Sequence, residues 1–232
     1  MNVLDTNQQA DSNPEFQLTP AYQPDLMNIT KRDGRSELVD VNKVVRAVQR
    51  CAQGLVHVDP MQVALKTIAG IYNGASTREL DELSIRTAAA FTAEEPQYTK
   101  LAARLLHAYI EKEVTGQGIY SFSQSIALGH EKGLINNRVH ELVNSNARKL
   151  NDAIHVEHNN RFDYFGLRTV YDRYLLRHPT QRKVIETPQQ FFMRIAVSVT
   201  ENIGEAIELY HLMGSLQYLP SSPTLFNAGT KH

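Results

Sequence analysis

Lys31, Arg32 and Lys43 are the residues whose types and spacing first suggest chemistry. They stand in the stretch NITKRDGRSELVDVNKVVRA, residues 28–47. Ile29–Arg32 can form a strand, Asp33-Gly34 favours a tight turn, and Arg35–Val39 can return as the partner strand. Asp40 or Asn42 can then cap a helix carrying Val44, Val45 and Val48. This folding gathers the three cations around a β-edge and a helix start, where charged side chains and free backbone N–H groups both attract anions. The chemistry it predicts is the binding of a polyphosphate. A solvated basic turn would use the same residues, and charge alone does not separate the two.

Other reactive side chains carry less. Cys51 falls on the stripe Val44, Val48, Cys51, Leu55, which predicts a buried structural thiol. His155, Glu157 and His158 invite a metal, yet they match no strong ligand spacing, so no metal site is expected. Thr77 has the look of a helix start, Lys112 of a solvated lysine near a helix end, and Ser221-Ser222-Pro223 of a turn.

The elements that position these residues are mostly helices. Asp59-Pro60-Met61-Gln62 predicts a cap, a proline in the first turn and a capping-box Gln, with Asn73-Gly74 closing that helix. Ser76-Thr77-Arg78-Glu79 opens a second capping box, followed by Leu80, Leu83, Thr87 and Phe91. Pro96 begins a helix whose Tyr98, Leu101, Ala102, Leu105, Tyr109 and Lys112 share a face, stopped by Gly116 and Gly118. With the hairpin, these helices make a module over residues 28–118, a usual domain size. Beyond it, 121–132 and 137–154 read as helices, 155–177 as a buried aromatic helix with its approach, and 181–186 as a short strand. Thr187-Pro188-Gln189-Gln190 caps one more helix, and Glu205–Ser215 forms another.

Composition narrows the classes. The 232 residues carry a net charge of −1, so no global field points to nucleic acid or an anionic membrane. One cysteine excludes an intramolecular disulfide and suits a reducing, cytoplasmic setting. No apolar run reaches the length of a membrane span. Residues 1–27 lack the basic and apolar regions of a signal peptide, and their Asn, Gln, Asp and Pro predict a disordered tail.

The opening stretch resembles the ATP-cone, a nucleotide-sensing module at the front of many ribonucleotide reductase large subunits. That family opens with a hydrophobic residue, Lys-Arg-Asp/Asn-Gly, a short strand, and a Lys followed by an aliphatic residue. Here these are Ile29, Lys31-Arg32-Asp33-Gly34, Val39 and Lys43-Val44. The resemblance implies a four-helix bundle with a small β-sheet cap. It places nucleotide contacts on Lys31, Glu37, Leu38, Val39, Asp40, Val41, Asn42, Lys43, Thr77 and Lys112, with Leu80 beside the base. A second resemblance lies in DYFGLRTVYDRYLLR and LPSSPTLFNAGTKH, which look like the beginning of the aerobic reductase domain. It implies that residues 119–232 are the helical start of an incomplete α/β barrel, ending in its first strand, and that Ser222 helps hold a substrate phosphate. The expected fold class is therefore mainly α.

As the family implies, ATP and dATP would act as allosteric effectors, and no cofactor would be covalently bound. The partners would be the remainder of the large subunit, a radical-generating small subunit, and further large subunits in a homo-oligomer. No nucleic acid and no membrane are expected. No catalytic residue of the family falls within these residues, and Cys51 lies in the cone, so the chain alone should not turn over. A non-enzymatic nucleotide-sensing module is the competing reading. Cone-bearing repressors with a zinc ribbon are a poor match, because one cysteine cannot build the ribbon. An anaerobic reductase resembles the later segments less, and the small-subunit-dependent type is preferred to the cobalamin-dependent type.

Overall fold

The computed structural model describes residues 27–231; the expected tail lies outside the described residues apart from Met27. The described residues are mainly helical, with one small two-stranded sheet among them. Strands β1 (Asn28–Thr30) and β2 (Ser36–Leu38) pair antiparallel, with Ile29 opposite Glu37. Their connection is one residue longer than the expected two-residue turn. Lys31 N–H donates to Arg35 O (2.7 Å), and Gly34 N–H donates to Lys31 O (3.0 Å). The loop is thus Arg32-Asp33-Gly34, with Gly34 at φ +87°, the left-handed position that a three-residue hairpin reserves for glycine. The Asp33 carboxylate ties the loop by accepting from the Arg35 backbone N–H (3.0 Å) and Nε (2.8 Å).

Helix α1 (Val41–Ala52) starts at Asp40, whose side chain accepts from Asn42 N–H, so Asp40 and not Asn42 is the cap. Helix α2 (Pro60–Ala69) is capped by Asp59. The expected return bond from Gln62 is not made; its Oε1 accepts from the Tyr98 hydroxyl instead (3.2 Å). Helix α2 also stops at Gly70, before the expected Asn73-Gly74. Those two residues are used on the sheet. Asn73 Oδ1 accepts from Asn28 N–H (2.9 Å), and Gly74 N–H donates to Asn28 O (2.8 Å). The hairpin is thereby pinned to the start of α3 (Thr77–Ala90), where Ser76 and Glu79 form the expected capping box.

Helix α4 (Tyr98–Thr115) is the central rod. It packs against α3 on one side, and on another against α8 (Tyr164–Thr169). Leu101, Ala102, Leu105, Leu106, Tyr109, Ile110 and Val114 along it are buried. The apolar core runs without a break from Val48 and Val63 through α4 to Phe191, Ile195 and Tyr210.

Helix α5 (Phe122–Glu131) follows. The expected single helix over 137–154 is interrupted at Asn146, leaving α6 (Asn137–Ser145) and α7 (Ala147–Asp152). Asn146 leaves helical geometry and its side chain bonds back to Leu142 O (2.9 Å), the competition with backbone that makes Asn a poor helix-interior residue. The aromatic segment forms a 3₁₀ turn (Val156–Arg161), then α8, then a π-turn (Val170–Tyr174). The strand expected at 181–186 reduces to a single bridge between Arg177 and Val184. Helices α9 (Pro188–Val199) and α10 (Ile203–Gly214) pack together, and the Thr187 capping box forms as expected. The final segment, expected to end in a barrel strand, is a short helix, α11 (Ser222–Asn227). Pro223 suits a first helical turn, and among the described residues the only β-partner nearby is Ile135, bridged to Thr230.

Candidate functional site

Between the hairpin, α1, α3 and α4 runs a groove of about 1350 Å³ that continues across α4 toward Asn151, Val156 and Gln189. Lys31, Glu37, Val39, Asp40, Lys43, Thr77, Leu80 and Lys112 all line it. Leu38, Val41 and Asn42 do not. Strand alternation explains Leu38: Glu37 and Val39 turn to the groove, so Leu38 must point away. It is exposed, as are Val41 and Asn42 on the outer turn of α1. Ser222 lies apart from the groove, in the first turn of α11, with its Oγ 3.1 Å from the Tyr174 hydroxyl.

The cations do not stand free. Glu37 Oε1 bridges Lys31 Nζ (2.8 Å) and Lys43 Nζ (3.1 Å). Asp81 bridges Arg32 (2.9 Å) and Lys112 Nζ (2.7 Å). Hydrogen bonds from Lys31 and then Lys43 hold the Glu37 carboxyl below its ordinary value. Four cations thus share two carboxylates, an arrangement in which an incoming phosphate can take over the same donors. Beside them, Thr77 occupies the first position of α3. The capping box spends the Ser76 and Glu79 amides on its own side chains, leaving those of Thr77 and Arg78 at the positive end of the helix. Ile29, Val39, Val44 and Leu80 supply an apolar wall, suited to the face of a base.

Arg32, one of the three cations the hairpin was expected to gather though not a contact the resemblance named, and Asp81, which was not expected, complete the charge arrangement. Asp81 carries a signal that helical spacing gives: Thr77, Leu80, Asp81 and Ser84 fall on one face of α3, and all four line the groove. Cys51 lines it as well, half-buried rather than buried in the core as expected, and burial pushes its thiol pKa up.

In the histidine segment the rings pack on one another. His155 Nδ1 sits 2.7 Å from Glu157, and the His155 ring lies 5.4 Å from His158 and 5.0 Å from His211, centroid to centroid. Among the described residues no group of three or more His, Cys, Asp or Glu side chains is placed to hold a metal ion. No helix among them is long and apolar enough to cross a membrane.

The hairpin-capped helical module with its cationic, apolar-walled groove, followed by further helices, fits the class of ATP cone domains. The family profile for the ATP cone domain matches residues 27–113, and that for the ribonucleotide reductase all-alpha domain matches 160–232. The chain thus carries an ATP cone domain followed by a ribonucleotide reductase all-alpha domain, and relatives named as reductase large subunits match it across this region. It is 38% identical over 216 residues to the "Ribonucleoside-diphosphate reductase large subunit" of Arabidopsis thaliana, covering 88% of this chain and 26% of that protein. The protein of that name from Caenorhabditis elegans is 36% identical over 214 residues, covering 87% and 26%. The "Ribonucleoside-diphosphate reductase large chain" of Schizosaccharomyces pombe is 38% identical over 213 residues, covering 88% and 26%. The chain therefore spans about a quarter of the length of these relatives.

Proposed function

We propose that the groove is an effector site for ATP and dATP, and that the chain serves as the regulatory front of a ribonucleoside-diphosphate reductase large subunit. The observation that carries this reading is the convergence of Lys31, Arg32, Lys43 and Lys112 on one groove with an apolar wall. In the proposal, Lys31, Lys43 and Lys112 meet phosphates; Thr77, Asp40 and Glu37 hydrogen-bond sugar or base; Val39 and Leu80 contact adenine. Residues 28–118 form the cone, and 119–232 begin the reductase domain, where Ser222 helps hold a substrate phosphate. The whole subunit reduces ribonucleotides to deoxyribonucleotides by radical chemistry in the cytoplasm. It works with a radical-generating small subunit and with further large subunits.

Control follows from population shift. ATP and dATP can change activity only through unequal affinity for active and inhibited assemblies, so the groove must register the 2′-hydroxyl or a consequence of it. The chain's own residues bind and orient the nucleotide; the radical chemistry belongs to the rest of the subunit. Isothermal titration of the 232-residue chain with ATP and with dATP tests the reading. Saturable binding of both, absent with adenosine, is expected. A folded chain that binds neither nucleotide would end the proposal.

A further inference from the structure

The groove and the Ser222 hydroxyl lie in different parts of the fold, yet packed side chains and one short turn of backbone join them. In the groove, Arg32 pairs with Asp81, and its guanidinium lies over the Tyr109 ring, 5.1 Å from the centroid. Tyr109 meets Tyr171 edge to face at 5.9 Å. The Tyr171 hydroxyl donates to Glu113 Oε2 (3.0 Å), and Arg78 reaches Glu113 Oε1 at 3.4 Å. Glu113 is only 4% exposed. Glu113 and Arg78 both adjoin the groove in sequence: Glu113 follows Lys112 on α4, and Arg78 follows Thr77 on α3.

Tyr171 belongs to the π-turn Val170–Tyr174, whose wide winding is closed by Leu175 N–H donating to Val170 O (3.1 Å). A π-turn is a helical segment with one residue inserted, so an ordinary α-helical turn is a nearby alternative, and such turns recur at functional sites. At the end of this turn Tyr174 bonds Ser222 (3.1 Å) and packs on Phe226 with ring centroids 4.5 Å apart. The turn is thus touched from both ends, by Tyr109 on Tyr171 and by Ser222 on Tyr174, and coupling requires in addition that it take up a second winding.

We propose that filling the groove with a polyphosphate is transmitted through Arg32, Tyr109, Tyr171 and Glu113 into the π-turn, and so resets how Tyr174 holds Ser222. The proposal rests on the reading of the groove as a nucleotide site. Phosphate competes with Asp81 for Arg32 and Lys112, and Arg32 then shifts over the Tyr109 face. Tyr109 and Tyr171 are in ring contact, so the displacement passes between them. Glu113 cannot release Tyr171 without leaving a buried carboxylate short of a donor, so it moves with the ring. Tyr171 and Glu113 are positioning residues in this scheme; neither touches nucleotide or substrate.

Amide hydrogen exchange of the 232-residue chain with and without saturating ATP tests it, alongside calorimetry that reports ATP binding independently. Exchange at residues 170–174 and 222–228 should change by about fivefold or more on binding, the low end of an ordinary allosteric coupling. Tyr171→Phe keeps the ring but removes the hydroxyl. It should bind ATP normally and lose the response at 222–228. Glu113→Gln, which keeps an oxygen for the Tyr171 hydroxyl, should retain it. Tyr174→Phe, at the half-buried end of the path, should respond at 170–174 but not at 222–228. Bound ATP with no exchange change at 222–228 in the unsubstituted chain overturns the relay and leaves the binding site standing. Absence of ATP binding overturns the reading beneath it.

Discussion

At the scale of single residues, Lys31 is the most exacting test of the groove. Its ammonium and that of Lys43 share one carboxylate oxygen of Glu37. A bound phosphate would draw on both lysines while freeing Glu37 to meet sugar or base. Lys31→Ala removes one charge-assisted contact and leaves Glu37 paired with Lys43, so the hairpin should stay folded. A charged hydrogen bond contributes about 1.5–3 kcal/mol, so ATP affinity in calorimetry should fall about tenfold or more. Raising salt should weaken the unsubstituted chain more than the variant, since the variant has lost one screened charge. Equal affinity in the two proteins would exclude Lys31 from the phosphate site. Lys31 and Lys43 were legible in the sequence because hairpin and helix start place them by simple geometry, whereas Lys112 entered only through the resemblance. Asp81 was not legible, because a carboxylate facing an anion site contradicts the expected charge sign. Its role emerges only once Arg32 and Lys112 are seen to converge on it.

At the scale of elements, capped helix starts were legible, as was the stop of α4 at Gly116, while the end of α2 was not. Asp59, Ser76 and Thr187 cap the helices their spacing announced, because a cap is a local bond within four residues. Helix α2 ends early because Asn73 and Gly74 are taken by the β1 backbone, a contact across 45 residues that no local signal contains. The same holds for Ser222–Asn227, where local proline chemistry gives a helix and a strand would need neighbours to pair with. The Ser76 cap has a functional corollary, since Thr77 is held by the turn it closes. Ser76→Ala removes the Oγ bonds to Glu79 N–H (3.1 Å) and Glu79 Oε2 (2.8 Å). The expected cost is about 1 kcal/mol, or a fall of roughly 3 °C in melting temperature for a chain of this size. ATP affinity should fall with it, as the first turn of α3 frays. Glu79 is held below its ordinary value of 4.5 by the Ser76 N–H and the Tyr72 hydroxyl. Its share of the cap is therefore complete above that value and is lost as pH falls through the depressed one.

For the whole molecule, the part beyond the cone contains a buried ion pair the sequence did not announce. Arg194 and Glu186, 0% and 1% exposed, are joined by two bonds of 2.9 Å. Glu186 also accepts from Leu176 N–H (2.8 Å), and Arg194 donates to Ala228 O. The pair thereby ties α9, the 176–186 turn and the segment after α11 together. Arg194→Met should cost about 3–5 kcal/mol in urea unfolding, because Glu186 stays buried without its cation. Arg194→Met with Glu186→Leu should recover much of that loss. If the single variant unfolds like the original, the pair carries no net stability.

Histidines give the molecule a second, pH-dependent signature. Burial lowers the His158 and His211 pKa values, helped by the charge of the neighbouring His155, and burial likewise lowers His107. His158 and His211 join the 3₁₀ turn to α10 with ring centroids 6.2 Å apart. A histidine whose folded pKa lies below its ordinary 6.5 binds its proton more readily when unfolded. Stability from these groups is therefore complete above that value and declines as pH falls toward the depressed values. Melting temperature should hold level from pH 8 to about 7 and drop steadily toward pH 5, ahead of the range in which carboxylates titrate. His211→Gln removes one titrating ring from the contact and should flatten that slope without abolishing it, because His107 and His158 remain. A melting temperature unchanged between pH 7 and 5 would show that these rings stay protonated alike in folded and unfolded chains, and that their packing does not depend on the neutral form.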